Sequence, residues 1–311
     1  MMTVINLRTN EEITINENMR LICALGNFDG VHMGHAKLLR FAASKPSDTT
    51  HSAVWTFRKH PGVCKGNENA RILTSIEQKA NIFRSYGIDL MILNDFEEVS
   101  SLSPEEFAIK ELYEKCNVRA AVCGFNFRFG KNAAGTSGML ADILSNNGAA
   151  VHVFPPLMND DRCISSTSIR DKIEEGNVED ARTMLGHPFS IFLPVTEGRK
   201  LGRTINVPTI NQIFPKYYAV PKHGVYACRC IVDGTSHIAI SNVGVRPTVT
   251  GGNATVNCET HIIDFSDWLY GKKVQVDFYK FLRPEIRFES LEELKIQIES
   301  DILETRKYFK K

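Results

Sequence analysis

The feature that most constrains how this chain can fold is a glycine- and histidine-rich stretch at residues 26–35, with the sequence GNFDGVHMGH. A short apolar run at residues 21–25 precedes it and predicts a buried strand. Residues 36–42 follow it and predict a helix. The stretch therefore lies in a strand-to-helix turn, where free backbone N–H groups and the helix dipole attract phosphate. This pattern indicates a nucleotide site in an α/β domain.

The distinctive part of the stretch is its pair of histidines. His32 and His35 are three residues apart, with Gly34 between them, so both fall on one face of a helix that begins there. Either imidazole can donate a hydrogen bond to a phosphate oxygen, and a cationic one would stabilise charge developing there. The stretch is neither a P-loop nor a GxGxxG fingerprint. Taken alone, it is explained equally well as a glycine-rich turn with two surface histidines.

Composition excludes several classes of protein. The 311 residues are enough for two domains, and a formal net charge of +1 gives no reason to expect a nucleic-acid partner. The sequence shows no signal-peptide pattern and no apolar run long enough for a bilayer, so no membrane partner is expected either. The eight cysteines lack zinc spacing, which predicts reduced thiols in a cytoplasmic protein. Oligomeric state does not follow from the sequence.

The pattern of apolar residues changes once along the chain. From residue 21 to about residue 153, apolar strands alternate with helical stretches, which predicts a parallel sheet with helices on both faces. Beyond two further helical stretches, residues 190–282 are rich in glycine, proline and period-2 runs, and Asp233-Gly234 is a hairpin signal. This predicts an antiparallel β-barrel, followed by one amphipathic C-terminal helix. We predict two domains, 1–187 and 188–311.

A second phosphate-binding pattern lies at residues 164–170, with the sequence ISSTSIR. Ser166 and Thr167 stand at the start of a predicted helix, and Arg170 follows one turn later. A simple helix cap would explain the hydroxyl residues. Together with the HxGH sequence, however, this stretch resembles the paired motifs of the HxGH nucleotidyltransferase superfamily.

A third stretch, GFNFRFG at residues 124–130, follows a predicted strand. It can be interpreted as a loop with its aromatic side chains tucked into the core. It can also be interpreted as a shelf for a flat ring system, with Asn126 supplying an amide donor and acceptor.

The order of these motifs resembles that of the bacterial bifunctional riboflavin kinase/FMN adenylyltransferase family, also called prokaryotic FAD synthetases. The resemblance spans nearly the whole chain and also includes RILTS at residues 71–75 and LSPEEF at residues 102–107. It implies FMN adenylylation on the N-terminal domain and riboflavin phosphorylation on the barrel. ATP, FMN and riboflavin are then the substrates, and Mg²⁺ is the metal.

The resemblance also assigns residues to the adenylylation site. It places His32 and His35 at the ATP phosphates, as the residues that stabilise the reacting charge. It extends the ATP site over both phosphate-binding stretches, to Gly26, Asn27, Asp29, Gly30, Gly34, Ser166, Thr167 and Arg170. It assigns the flavin to Phe57, Asn126 and Phe127. Lys59 stands where the family has a proline, which leaves the role of His60 open.

In the barrel, PTIN at residues 208–211 is similar to the family's kinase sequence PTAN. The resemblance implies that Thr209 and Asn211 bind Mg²⁺ and ATP phosphate, and that Glu259 takes the proton from the riboflavin 5′-hydroxyl. A solvent-facing strand carboxylate is the alternative for Glu259.

The kinase sequence departs from the family at Asn206-Val207, where a glycine and an aromatic residue are usual. Asparagine adopts left-handed backbone angles less readily than glycine, and its side chain would intrude where phosphate should pass. We therefore expect a weak kinase. Two alternatives follow: an FMN adenylyltransferase with an impaired barrel, or a flavin-binding regulatory protein.

Overall fold

The computed structural model describes residues 2–44, 49–159, 162–198, 207–246 and 255–310. The chain divides into two compact units, Met1–Ser166 and Thr167–Lys311. The helical residues before position 187 are thus grouped with the second unit. The domain boundary predicted from the sequence, between residues 187 and 188, stays a prediction.

The first unit is built on a seven-stranded sheet with two short hairpins beside it. The order in the sheet is β2-β1-β5-β4-β3-β6-β9, with the central strands parallel and an antiparallel hairpin at one edge. The strands are β1 (Thr3–Asn6), β2 (Glu12–Ile13), β3 (Arg20–Leu25), β4 (Thr50–Phe57), β5 (Leu90–Asn94), β6 (Val118–Gly124), β7 (Arg128–Phe129), β8 (Gly135–Thr136), β9 (Ala150–Phe154), β10 (Met158–Asn159) and β11 (Arg162–Cys163).

Helices of this unit begin at the capping signals in the sequence. Ser75 and Ser103 each form a capping box, with Gln78 and Glu106 respectively. The helix after Ser103 continues as a π-helix over Phe107–Lys115. The α-helices are α1 (Met33–Ala43), α2 (Pro61–Cys64), α3 (Ile76–Ser85), α4 (Phe96–Val99), α5 (Pro104–Glu106) and α6 (Ser137–Ser145).

The parallel sheet is buried on both faces, which explains the continuous apolar run of β3. Leu21, Cys23 and Leu25 pack into one hydrophobic cluster with Trp55. Ile22 and Ala24 pack into the other cluster, on the opposite face. The predicted α/β architecture, with the strand-to-helix turn after residue 25, is confirmed.

The second unit is an antiparallel six-stranded sheet that almost closes on itself. Its order is β12-β17-β14-β15-β16-β13, and an isolated bridge between Thr196 and Asn211 links the two ends. The predicted β-barrel and C-terminal helix are therefore confirmed. The elements are α7 (Ser166–Glu174), α8 (Val178–Leu185), β12 (Phe189–Pro194), β13 (Ile210–Ile213), β14 (Gly224–Val232), β15 (Thr235–Arg246), β16 (Thr255–Ile262), β17 (Lys273–Arg283) and α9 (Leu291–Phe309).

Strand β17 shows how packing modifies a simple alternating pattern. Val274, Val276 and Phe278 are buried, as their spacing predicts. Asp277, which the same pattern places on the opposite, polar side of the strand, is also buried and only 6% exposed. Its carboxylate accepts a hydrogen bond from Gln275 Nε2 at 2.7 Å, and α8 packs against this strand. Burial raises the pKa of Asp277 to about 6.

Two further sequence expectations concern the whole chain. All eight cysteines are free thiols. Among the described residues, we find no helix that is both long and apolar enough to cross a membrane.

Candidate active sites

The glycine-rich stretch forms a tight loop at the carboxyl end of β3. Phe28, Gly30 and Val31 all have positive φ values, of 52°, 79° and 39°. A β-branched residue at such a φ is strained, so the surrounding contacts must hold the loop in place. The buried Phe28 ring supplies one of these contacts, because it packs edge-on against Phe83 at 5.5 Å.

Asp29 supplies the next contact. It is buried, and its Oδ1 accepts hydrogen bonds from the backbone N–H groups of Leu73 at 2.8 Å and Thr74 at 3.3 Å. Thr74 Oγ1 in turn accepts from the N–H of Gly30 at 2.9 Å. Hydrogen bonds from the RILTS stretch at residues 71–75 thus hold the glycine-rich loop in place. The carboxylate of Asp29 supports the loop, and direct contact with ATP stays a prediction.

His32 and His35 stack on each other at the start of α1. Their ring centroids are 3.7 Å apart, and His32 Nδ1 accepts the cap hydrogen bond from the His35 N–H at 3.4 Å. A Cβ on Gly34 would lie 3.1 Å from the His32 ring, which favours glycine there. Because Nδ1 is the acceptor, the proton of a neutral His32 is on Nε2, where it can be donated to a phosphate oxygen.

Burial sets the charge of both histidines. It lowers the pKa of His32 to about 4 despite the nearby Asp29. It also lowers the pKa of His35 well below the usual value, and His32 and Lys79 add to this effect. Both imidazoles are therefore neutral at pH 7 in this structure. The cationic form considered from the sequence is disfavoured, because a buried charge loses its hydration.

Two polar atoms of this loop have no partner. His35 Nδ1 and Asn27 Oδ1 are buried without a hydrogen bond. An unpaired buried polar group costs about 1–3 kcal/mol, so such groups are expected where a ligand completes the hydrogen bonds. Gly26 continues from β3 into the loop, donating its N–H to the carbonyl of Trp55 at 3.2 Å.

Sequence reasoning missed Lys79. It is 4% exposed, and its Nζ donates to the Asn27 carbonyl at 2.6 Å. Thr56 Oγ1 donates to the same carbonyl at 3.0 Å. Burial lowers the pKa of Lys79 to about 8, partly offset by Asp29, so the ammonium still predominates at pH 7. The available signal was its position on α3, on the helix face defined by Ile76, Ala80 and Phe83.

The stretch at residues 164–170 contacts the glycine-rich loop through Ser166. Its Oγ donates to the Asp29 carbonyl at 2.8 Å, a contact within the first unit, of which Ser166 is the last residue. This contact agrees with the pairing of the two motifs in the sequence. Thr167 and Arg170 follow on α7, within the second unit. Their contacts with ATP phosphates stay predictions.

The predicted flavin residues lie at the ends of β4 and β6. Phe57 packs edge-on against Trp55 at 5.1 Å, and Phe127 stacks on Phe129 at 5.6 Å. Both are partly buried against the same hydrophobic cluster, whereas Asn126 is exposed. Phe129 itself is in the core, so the stretch 124–130 combines core packing with an exposed amide and half-exposed rings.

The structure clarifies His60, whose role the sequence left open. His60 caps the short helix α2, and its Nδ1 accepts from the N–H of Gly62 at 3.0 Å. A Cβ on Gly62 would lie 3.1 Å from that ring nitrogen. His60 therefore shapes the backbone that follows Phe57.

In the second unit, a cavity of about 320 Å³ lies between the barrel strands and α9. Its size is that of a small-molecule site. Thr209, Asn242 and Glu259 line its polar side. Val207 and residues of α9, including Leu294 and Ile298, line its apolar side. Asn206 lies outside the described residues.

Two of the three predicted kinase residues, Thr209 and Glu259, line this cavity, and the third, Asn211, does not. Asn211 is 4% exposed and pairs across the sheet with the exposed Glu259. Its Oδ1 accepts from Asn257 Nδ2 at 2.9 Å, and the same Nδ2 donates to Glu259 Oε1 at 3.1 Å. A Cβ on Gly198 would lie 2.2 Å from Asn211 Nδ2, so only glycine fits there. Asn257 is a residue that the sequence motifs did not indicate.

Comparisons with known proteins match the two halves separately. The family model described as FAD synthetase matches residues 14–168, and the one described as riboflavin kinase matches residues 185–309. Two relatives are described as bifunctional riboflavin kinase/FMN adenylyltransferase. One, from Listeria monocytogenes, is 35% identical over 98% of this chain and 96% of its own. The other, from Bacillus subtilis, is 34% identical over 99% of this chain and 98% of its own.

A solved structure shows the same architecture over both units. It comes from Streptococcus pneumoniae and is described as a macrolide-efflux protein. It is 28% identical, with a TM-score of 0.82 and 97% of each chain covered. The matched models, the full-length relatives and the two-unit fold agree, and this chain belongs to the family of bifunctional riboflavin kinase/FMN adenylyltransferases.

Proposed function

We propose that the chain makes FAD from riboflavin in two ATP-dependent steps, one in each unit. The barrel unit phosphorylates riboflavin to FMN, and the N-terminal unit transfers AMP from ATP to FMN. The observation that carries the proposal for the N-terminal unit is the stacked His32–His35 pair at the start of α1, at the carboxyl end of a parallel strand. This is the position at which α/β folds bind phosphate.

In the adenylylation, a phosphate oxygen of FMN attacks the α-phosphorus of ATP, and the bond to pyrophosphate breaks. The protein supplies no nucleophile, so its contribution is positioning and charge stabilisation. His32 and His35 would donate N–H groups to the ATP phosphates, with Gly26, Gly30 and Gly34 letting the backbone approach. The orphaned atoms of Asn27 and His35 would gain partners from the nucleotide.

The other residues of this site would bind the leaving pyrophosphate and the flavin of FMN. Ser166, Thr167 and Arg170 would bind the leaving pyrophosphate, because hydroxyl, N–H and guanidinium groups suit phosphate oxygens. Asn126 would hydrogen-bond the flavin, and Phe57 and Phe127 would contact its ring system. This assignment is supported by the exposed amide of Asn126 and the partly buried rings of Phe57 and Phe127, which lie at the carboxyl ends of β4 and β6, the two strands that flank β3.

In the phosphorylation, Glu259 would take the proton from the riboflavin 5′-hydroxyl while that oxygen attacks the γ-phosphorus of ATP and ADP leaves. Thr209 and Asn211 would hold the phosphate end of ATP. The cavity beside Glu259 offers the flavin an apolar wall from α9.

The donor set at this site fits Mg²⁺. A hydroxyl and an amide oxygen are hard ligands, and Asn211 Oδ1 keeps a second lone pair beyond its bond from Asn257. The described residues contain no cluster of three His, Cys, Asp or Glu side chains for a metal ion, so phosphate oxygens would complete the coordination. When bound, Mg²⁺ supplies charge neutralisation at the phosphates.

The eight free thiols support a cytoplasmic location, and the small net charge supports a protein whose ligands are small molecules rather than nucleic acid.

The direct test is to incubate the purified protein with ATP and Mg²⁺ and with either riboflavin or FMN, then to separate riboflavin, FMN and FAD by chromatography. We expect FMN to give FAD, and riboflavin to give FMN and then FAD. FAD formation from FMN alone would identify an adenylyltransferase with an impaired barrel. In that case Asn206→Gly should raise FMN formation. Flavin binding without any turnover would contradict the proposal and favour a regulatory role.

A further inference from the structure

Asn257 donates hydrogen bonds to two residues of the candidate kinase site, Asn211 and Glu259. It lies on β16, two residues before Glu259, and is 4% exposed. We propose that Asn257 is a positioning residue for riboflavin phosphorylation, holding the Glu259 carboxylate and the Asn211 amide in their working orientations. The inference rests on the kinase roles proposed above for those two residues.

The register of the barrel explains how one side chain reaches both. In the β13–β16 pair, Asn211 lies opposite Glu259 and Ile213 lies opposite Asn257. Asn257 and Glu259 are two apart and therefore point to the same side of the strand, and Asn211 is the diagonal neighbour of Asn257. The two hydrogen bonds from Asn257 Nδ2, at 3.1 Å and 2.9 Å, follow from this arrangement.

The direction of the Asn257 amide is dictated by its neighbours. An ionised carboxylate can only accept hydrogen bonds, so Asn257 must present Nδ2 to Glu259. Its own Oδ1 is then buried with no partner. An unpaired buried oxygen costs free energy that an apolar residue of similar size would avoid. The two hydrogen bonds that Asn257 Nδ2 donates thus explain the presence of an amide at this position better than packing does.

Holding Glu259 matters because its side chain is otherwise exposed. Within the described ranges, Asn257 is the sole side chain that donates a hydrogen bond to the Glu259 carboxylate. A general base has to lie within about 2.6–3.2 Å of the proton that it takes. Without Asn257, the carboxylate would spend less time in that position, which lowers kcat while the cavity that binds riboflavin stays intact.

The experiment is Asn257→Ala in the full chain, with FMN and FAD formation measured separately. We expect kcat for FMN formation to fall by about ten- to a hundredfold, with the KM for riboflavin changed by less than about threefold. FAD formation from FMN should stay at the parent rate, which shows that the chain is folded. Gln275→Ala is the matched control. It removes a similar amide–carboxylate pair, Gln275 to Asp277, outside the cavity lining, and kcat should not change.

A double-mutant cycle separates positioning from a general structural effect. Because Asn257 acts in part through Glu259, Asn257→Ala should cause a smaller further loss in a Glu259→Gln background than in the parent protein, and what remains reports the contact with Asn211. An equal further loss in that background, or a change in KM alone, would overturn the inference.

If Asn257→Ala also loses FAD formation, the variant is misfolded, and Asn257→Asp is tested in its place. Aspartate keeps the shape of the side chain but has no N–H donors. An unchanged kcat in a folded variant would again overturn the inference. A parent protein that forms no FMN would instead overturn the proposed kinase function.

Discussion

The two units build their proposed phosphate sites in different ways. In the N-terminal unit, most of the site is one stretch of ten residues, shaped by positive φ angles and by the start of α1. In the barrel, the site is assembled from side chains on the neighbouring strands β13 and β16. Asn211 and Asn257, one on each strand, are 46 residues apart in the sequence. The first site is visible as a motif, whereas the second depends on strand register.

The two sites also treat charge differently. The N-terminal site buries His32, His35 and Lys79, and burial lowers the pKa of each. The barrel site leaves Glu259 exposed beside a cavity with an apolar wall. The proposed adenylylation site thus combines two neutral imidazoles with the cationic Lys79, whereas the proposed kinase site presents a carboxylate that can accept a proton.

The largest expected effect is on the kinase. Glu259→Gln removes the base but keeps the shape and a hydrogen-bonding end, so FMN formation from riboflavin should fall by about a thousandfold or more. FAD formation from FMN should be unchanged, because it uses the other unit. Chromatography of both reactions in one preparation measures the two rates. A parallel loss of both activities would mean that the sites are not independent.

His35→Ala is the reciprocal variant. It removes one of the two stacked donors, so FAD formation should fall by about a hundredfold, with riboflavin phosphorylation untouched. His152→Ala is the matched control, because His152 also packs on an aromatic ring of this unit, that of Phe41, at 4.3 Å. An unchanged rate of FAD formation in His35→Ala would remove His35 from the site.

Lys79→Met tests how the glycine-rich loop is supported. Methionine fills the buried space but cannot donate to the Asn27 carbonyl, so FAD formation should fall by about tenfold, with a higher KM for ATP. Lys110→Met, at an exposed lysine paired with Glu106, should have no effect. Parent-like kinetics for Lys79→Met would show that Thr56 alone is enough to hold that carbonyl.

The smallest effect is on stability. The pKa of His32 is about 4 in the folded chain and about 6.5 when unfolded, so the unfolded state binds more protons between these values. The contribution of His32 to stability is therefore lost as the pH falls, by about 2 kcal/mol from pH 7 to pH 5.

His32→Asn keeps a capping side chain without a titrating ring and should make unfolding of this unit less sensitive to acid. Fluorescence of the buried Trp55 in urea, in a Trp268→Phe background, measures this effect. The same dependence on pH in both proteins would contradict the pKa of His32.

Several features of this protein follow from local sequence alone. The strand before residue 26, the turn and the helix after it are encoded by contiguous residues, as are the capping boxes at Ser75 and Ser103. The change from β/α alternation to period-2 runs predicted the two kinds of unit. Such features can be predicted because their energies come from neighbours within a few residues.

Only the tertiary structure shows which side chains support the proposed sites. Asp29 serves the loop through Leu73 and Thr74, and Lys79 reaches back to Asn27 from another helix. Asn257 connects Asn211 with Glu259 through the register of β13 and β16. The neutral state of both histidines also depends on burial beneath other segments. These contacts join residues distant in sequence, and desolvation depends on everything packed around a group, so no local pattern specifies them.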